Sequence, residues 1–243
     1  MKAKVLRHQI FYFPPDSLHE GSIVFSAEES QHMVKSLRLG VGDRVRATDG
    51  AGRFYDSAIE HAAAARVRAR VLKVTEAKAC APAVTVFQGV VRAQRMDLLV
   101  EKAVELGSAG LVPIECERCL RRVAAPRLAR WRRIAREAMK QSLRAHLPAI
   151  SEPRSLREAA AVLGGFDLVL VACEASGGKP LREIITPGLA RVALWVGPEG
   201  GFTEEEMDQL AAAGGVAFTL GPHRLRSETA ALATLAALHQ LVA

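Results

Sequence analysis

The chain has 243 residues, 33 Lys and Arg against 26 Asp and Glu, a formal charge of +7, and 49% hydrophobic with 24% charged residues. That balance excludes a disordered or fibrous chain and suits one large globular domain or two modest ones. No apolar run approaches the roughly 18 residues of a membrane-crossing helix, and the opening MKAKVLRHQIFYF lacks the apolar core of a signal peptide, so a cytoplasmic protein is expected.

The charge is unevenly distributed. Residues 118–144 hold 10 basic groups and 1 acidic one, whereas residues 1–80, 81–117 and 145–243 carry net +4, −2 and −4. One short stretch therefore holds more than the whole surplus, which is the electrostatic footprint of a polyanion binder or, more plainly, of a solvated amphipathic helix.

In chain order, residues 40–75 read as short strands and turns. Gly40, Gly42 and the cluster Asp49-Gly50-Ala51-Gly52 punctuate them, and Val67, Ala69 and Val71 alternate with Arg66, Arg68 and Arg70 in the period of a half-exposed strand. The texture changes across Ala79–Ala83, around Pro82, where a domain boundary is expected. VTVFQGVV is then a strand candidate, and Met96, Leu99, Val100 and Ala103 recur at helical spacing up to Gly107.

Beyond this point strands and helices alternate. LVPI (111–114) is a strand, and residues 126–144 form a helix with Pro126 in its first turn and Trp131, Ile134, Ala135, Ala138 and Ser142 on one face. Ser155 with Glu158, and Thr203 with Glu206, have capping-box spacing ahead of helices ending near Gly164 and Gly214. FDLVLVAC, VALWVG and VAFTL are apolar runs without alternation, as strands covered on both faces require, so the C-terminal part is α/β with a mostly parallel sheet.

The four cysteines, at 80, 116, 119 and 173, do not make a disulfide framework. Cys116 and Cys119 form a C-x-x-C without a second ligand pair, so no metal is expected and the pair reads as incidental. The phosphate-loop and three-glycine dinucleotide patterns are absent, as are the common zinc-protease and serine-hydrolase signatures.

Two strand-to-helix junctions stand out. VGPEGGF (196–202) leaves one apolar strand for the helix capped by Thr203, and LGPHRLRSETA (220–230) leaves another for the last helix. Ligands of open α/β sheets bind outside the carboxyl ends of strands, so paired Gly-Pro loops at two such ends predict one shared site.

These pieces, with HMVKSLRLGVGDRV from His32, Asp49-Gly50-Ala51-Gly52, VEKAVELG from Val100 and RWRRIAREAMKQSLR from Arg130, stand in the order of the RsmE family, which the chain resembles over nearly its whole length. That family consists of bacterial enzymes that use S-adenosylmethionine to methylate the imino nitrogen of a uridine in small-subunit ribosomal RNA. The resemblance implies a PUA-like β-barrel at residues 1–78, a SPOUT methyltransferase domain with a trefoil knot at 79–243, and a homodimer.

It further implies a cofactor site made of Gly197, Pro198, Glu199, Gly200 and Gly201 in the first loop and Leu220, Gly221, Pro222 and Leu225 in the second, holding adenine largely through main-chain groups. Glu174 either lines that pocket or is a plain loop carboxylate. Arg226 is the leading catalytic candidate, because the uridine imino group ionises well above neutral pH and a guanidinium can stabilise its developing charge. Glu228 orients that arginine, acts as a base, or caps the last helix. RNA contacts are expected from Arg7, Arg38, Arg118, Arg136, Lys140, Gln141 and Arg144, with His32 more simply structural. Cys116 and Cys119 stand where the family usually has threonine and serine. The rival readings are a non-catalytic RNA-binding protein of ribosome assembly and a knotted methyltransferase acting on tRNA.

Overall fold

The alternating pattern of the N-terminal segment does become a sheet. In the computed structural model, which describes residues 5–119, 122–173 and 178–242 (backbone only for 5–8), the chain divides into two units, one of residues up to 79 together with 136–147, the other of 80–135 and 148–242.

The first unit holds β1 (Val5–Tyr12), β2 (Leu18–His19), β3 (Ser22–Val24), α1 (Ala27–Gln31), β4 (Arg44–Thr48), β5 (Arg53–Ala63) and β6 (Arg66–Glu76). The strands form a six-stranded sheet in the order β1-β4-β5-β6-β3-β2, antiparallel except where β1 meets β4. Alternation puts Val45, Ala47, Tyr55, Ile59, Val67 and Ala69 into one core with Phe11, Phe13 and Phe25, and leaves the arginines between them outside. Three phenylalanines and Tyr55 meet edge to face there, Phe13 and Tyr55 with ring centres 5.0 Å apart.

The Asp49-Gly50-Ala51-Gly52 turn is organised by the buried Asp49 carboxylate, which accepts from the Ala51 N–H at 2.8 Å and from Tyr55 Oη at 3.0 Å and pairs with Arg53 at 2.6 Å. Gly52 has φ of +99°, and a Cβ there would lie 2.5 Å from the His146 ring, so only glycine fits where residues 145–147 return to this unit. Lys140 is the other fastening of that returning segment. Its ammonium is 2.6 Å from Glu29 and 2.9 Å from Glu137, and the Lys140 and Glu29 side chains are 16% and 8% exposed. Burial pushes the Glu29 carboxyl up from its ordinary value, with Lys140 pulling the other way.

The second unit begins at β7 (Ala83–Gly89) and continues through α2 (Ala93–Glu105), β8 (Gly110–Glu115), α3 (Ala125–Gln141), β9 (Ala149–Ile150), β10 (Arg154–Ser155), α4 (Leu156–Ala160), β11 (Leu168–Ala172), β12 (Lys179–Pro180), α5 (Leu181–Ile184), β13 (Arg191–Val196), α6 (Glu204–Ala212), β14 (Gly215–Thr219) and α7 (Ser227–Leu241). Residues through Ala135 of α3 belong here and the remainder to the first unit. The sheet order is β10-β8-β7-β13-β11-β14-β12, with β9 also on β8, and every described pairing is parallel.

The central strands β7 and β13 are buried on both faces, β13 through an apolar run from Val192 to Val196 and β7 with Thr85 and Gln88 among its apolar residues, and Phe87 stacks on Trp195 at 4.6 Å between centres. Both capping boxes form, Ser155 with Glu158 and Thr203 with Glu206. The helix expected over 126–144 runs from Ala125 to Gln141. It stops because Ser142 turns its hydroxyl back onto the Ala138 carbonyl and Leu143 takes the left-handed conformation, φ +55°.

Candidate functional site

The two Gly-Pro loops lie at the carboxyl ends of β13 and β14, which are separated in the sheet by β11. Between them is a cavity of about 600 Å³, lined by Val196–Phe202, by Phe218–Leu220 and His223–Ser227, and by Ala172, Cys173, Met207, Ala230, Arg95 and Arg118. That volume falls in the range of small-molecule and cofactor pockets, and its walls mix apolar side chains with main-chain polar groups. Leu220 and Leu225 remain 36% and 40% exposed at this cavity, an apolar lining suited to a flat heteroaromatic ring.

Of the residues predicted for the cofactor, Gly197, Pro198, Glu199, Gly200, Gly201, Leu220 and Leu225 line the cavity. Gly221 and Pro222 shape the second loop without lining it; Gly221 has φ of +142° and donates its N–H to Thr219 Oγ1. Glu174 lies outside the described residues.

Arg226 stands at the cavity wall, immediately before α7, is exposed, and makes no ion pair among the described residues. Its guanidinium is therefore available to a ligand. Glu228 is elsewhere: it is 5% exposed in the first turn of α7, does not line the cavity, and has Oε1 3.6 Å from Arg95 Nε. Arg95, from α2, also reaches Glu199 at 3.6 Å, and Glu199 Oε1 accepts from the Arg92 N–H at 3.2 Å. Arg95 thus ties a carboxylate of the first loop to one of the last helix. The second carboxylate oxygen of each, Glu199 Oε2 and Glu228 Oε2, is buried without a hydrogen-bond partner among the described residues.

The residue that joins the loops was not visible as a motif. Gln88, the penultimate residue of β7, is fully buried, and its amide Nε2 donates to Gly89 O at 2.8 Å, Gly197 O at 3.3 Å, Val196 O at 3.4 Å and Ser227 Oγ at 2.7 Å. Ser227 Oγ in turn donates to Gly197 O. The next residue, Gly89, admits the loop: a Cβ there would sit 2.5 Å from the Pro198 nitrogen. A polar residue inside the apolar run VTVFQGVV was the available signal.

Predicted RNA contacts are scattered among different roles. Arg118 donates from Nη1 to Gly200 O at 3.0 Å and Phe202 O at 3.2 Å, so it buttresses the first loop. Lys140 is committed to Glu29 and Glu137. Arg136 lies over the Tyr12 ring at 5.5 Å, Gln141 is exposed at the end of α3, and Arg144 is half-buried in the returning segment. Arg38 is exposed with φ of +55°, just after a π turn at His32–Ser36, an uncommon conformation for a side chain of its size. The side chain of Arg7 lies outside the described residues. Within the basic block, Arg130 pairs with Asp97 at 2.8 Å and Arg132 with Glu152 at 3.0 Å. Arg133 is exposed and makes no ion pair among the described residues.

A protein-family profile described as "RNA methyltransferase domain" matches residues 79–239, and one described as "RNA methyltransferase PUA domain" matches 25–72. The chain belongs to this RNA methyltransferase family. The ribosomal RNA small subunit methyltransferase E of Mycobacterium bovis is 32% identical over 88% of this chain and 85% of its own. The crystal structure of a ribosomal RNA small subunit methyltransferase E from Neisseria gonorrhoeae, bound to S-adenosyl methionine, is 31% identical, with TM-score 0.86 over 97% of this chain and 98% of that one. A Legionella pneumophila protein solved in complex with the same cofactor is 28% identical, also with TM-score 0.86 over 97% and 98%. The family places a mixed α/β architecture of PUA-like and SPOUT methyltransferase domains on a chain in which the described residues contain no helix long and apolar enough to cross a membrane.

Proposed function

We propose that this protein transfers a methyl group from S-adenosylmethionine to the imino nitrogen of a uridine in small-subunit ribosomal RNA. The observation that carries the reading is the cavity between the two Gly-Pro loops, with Arg226, an arginine that makes no ion pair among the described residues, on its wall. The donor set fits the cofactor. Gly197, Gly200 and Gly201 bring main-chain groups to the surface of the cavity, while Leu220, Leu225, Phe202 and Met207 supply apolar wall.

When bound, S-adenosylmethionine supplies an electrophilic sulfonium methyl. The protein's part is to hold the uracil ring in line with that methyl and to stabilise the charge that develops on the ring as its imino proton departs. Arg226 takes the second role by placing its guanidinium on the ring carbonyl side, or on the adjoining phosphate. Glu228 acts through Arg95 and the first turn of α7 to set the position of Arg226, since it does not itself line the cavity. Glu199 is steadied by Arg95 and the Arg92 N–H.

RNA is held by Arg38 in the N-terminal unit and by Arg133, Arg136, Gln141 and Arg144 along and after α3, with Arg7 in the opening strand. Arg118 and Lys140 assist by holding the first loop and the returning segment. The functional unit is a cytoplasmic homodimer, and its methyltransferase domain carries the family's trefoil knot. The division at residues 78 and 79 separates the RNA-docking part from the catalytic one, with 136–147 packing back on the former.

The test is to incubate the protein with small ribosomal subunits, free ribosomal RNA and tRNA from a strain lacking it, and to locate any gain of one methyl group by mass spectrometry. Methylation of one uridine in small-subunit RNA is expected. A methyl group confined to tRNA, or placed on guanosine, refutes the substrate; absence of S-adenosylmethionine binding at high micromolar concentration refutes the enzyme and leaves an RNA-binding protein.

A further inference from the structure

The Cys116-Glu117-Arg118-Cys119 segment is a tight turn immediately after β8, closed by the Cys119 N–H donating to the Cys116 carbonyl at 3.1 Å. Its two inner residues hold the first cofactor loop and the helix behind it. The Glu117 N–H donates to Glu206 Oε1 at 2.8 Å, and Arg118 donates to Gly200 O and Phe202 O. Arg118 Cβ also fills the space beside Gly200, 3.2 Å from where a Cβ would stand. The same Glu206 carboxylate accepts from the Thr203 N–H at 2.9 Å, so the turn and the helix cap share one anion.

The two outer residues are the cysteines, and both sulfurs face the Ile114 carbonyl, Cys119 Sγ at 3.5 Å and Cys116 Sγ at 3.9 Å. The Cys116 N–H donates to Cys119 Sγ at 3.2 Å. Residues i and i+3 of such a turn have Cα atoms within about 7 Å, and a disulfide spans Cα separations of roughly 4.4–6.8 Å, so the bond can close without moving the backbone far. We propose that Cys116 and Cys119 form a redox-active dithiol whose disulfide locks the turn that supports the cofactor loop. The proposal rests on the cofactor reading of that loop.

The Cys116 thiol hydrogen-bonds to Cys119 and holds the Cys119 thiol below its ordinary value, while the same contact and burial push Cys116 up. Cys119, the more exposed of the two, is accordingly the attacking group. Its thiolate attacks one sulfur of a low-molecular-weight disulfide such as oxidised glutathione, forming a mixed disulfide and releasing one glutathione thiolate. Cys116 gives up its proton, attacks Cys119 Sγ, and displaces the second glutathione. Two electrons pass from the protein to the glutathione disulfide, and the two thiol protons end on two molecules of reduced glutathione.

The full-length protein is equilibrated in buffers of reduced and oxidised glutathione. Linkage is mapped by peptide mass spectrometry, amide exchange of residues 197–203 is followed by hydrogen–deuterium exchange, and S-adenosylmethionine is titrated in each state. The expected result is a Cys116–Cys119 linkage, exchange in 197–203 slowed several-fold, and affinity raised by about threefold or more through preorganisation. Cys119→Ser, and separately Cys116→Ser/Cys119→Ser, abolish the redox dependence of the loop. Oxidation found only as a mixed disulfide at the exposed Cys80, or a Cys116–Cys119 linkage that leaves exchange in 197–203 unchanged, overturns the proposal. Failure of the reduced protein to bind S-adenosylmethionine refutes the cofactor reading instead, and the linkage and exchange results still decide the dithiol.

Discussion

The Gln88 amide donates to Ser227 Oγ at 2.7 Å across 139 positions of sequence, and that bond fastens the start of the last helix to the central strand of the parallel sheet. Because the same nitrogen reaches the Gly197 carbonyl, one side chain holds both loops of the cavity. Replacing Gln88 by Ala leaves buried carbonyls and a hydroxyl without their donor, at about 1–3 kcal/mol. The expected outcome is a lower denaturation midpoint together with cofactor affinity reduced by tenfold or more, measured by calorimetric titration. Gln88→Glu, which keeps the volume but sets a carboxylate among carbonyls, is expected to be worse than Ala; equal affinity to the native protein in either variant removes Gln88 from the role.

Arg226 and Arg95 are both at the cavity, but among the described residues only Arg95 is engaged by carboxylates. Arg226→Ala is therefore expected to reduce single-turnover methyl transfer by at least about a hundredfold, the scale on which loss of one charge-stabilising donor is felt, with cofactor affinity changed by less than threefold. Unchanged turnover would remove Arg226 from catalysis. Arg95→Ala, by contrast, leaves Glu199 and the buried Glu228 without their cation and should weaken cofactor binding as well.

The basic block divides into engaged and available charges, and salt dependence separates them. Arg133→Ala is expected to weaken RNA binding and to flatten the slope of log K against log salt by roughly 0.7–0.9, as for one lost phosphate contact. Lys140→Ala is expected to leave that slope unaltered but to destabilise the fold by about 3–5 kcal/mol, since it strands the buried Glu29. A Lys140→Ala protein of native stability with a reduced slope would reverse the assignment.

Asp167 accepts from the N–H groups of Ala190 and Arg191, each at 2.8 Å, and these bonds hold its carboxyl below the usual range. The folded state then binds the proton less readily than the unfolded state, so the stabilisation is complete above the unfolded value near 3.8 and is lost as pH falls through the lower folded value. The urea midpoint should fall between pH 5 and pH 3 more steeply in the native protein than in Asp167→Asn.

Short-range features were legible in the sequence because their partners are a few residues apart. The alternation of Val67 and Ala69 with arginines, the capping boxes at Ser155 and Thr203, and the apolar runs of β11 and β13 depend on periods of 2, 3 or 3.6, and each appears in the structure. The Gly-Pro loops were legible for a related reason: glycine beside a strand end marks a close backbone approach whatever the rest of the chain does.

What the tertiary structure alone decided was which charged and polar groups are already used. Arg118, Lys140 and Arg133 look alike in a basic sequence block, yet one supports Gly200, one is paired with the buried Glu29, and one faces solvent. Gln88 shows in the sequence only as a polar residue within an apolar run, with nothing to say what it bonds, and the C-x-x-C pair acquires a structural context only when its inner residues meet Gly200, Phe202 and Glu206. The physical reason is common to all of them. Desolvation and hydrogen-bond satisfaction depend on atoms brought together from 82 to 139 positions apart, and no local pattern encodes them. The sequence by itself determined the main strands of the parallel sheet, the caps, the paired glycine loops and the family; folding determined which of its 33 cationic side chains remain available to RNA.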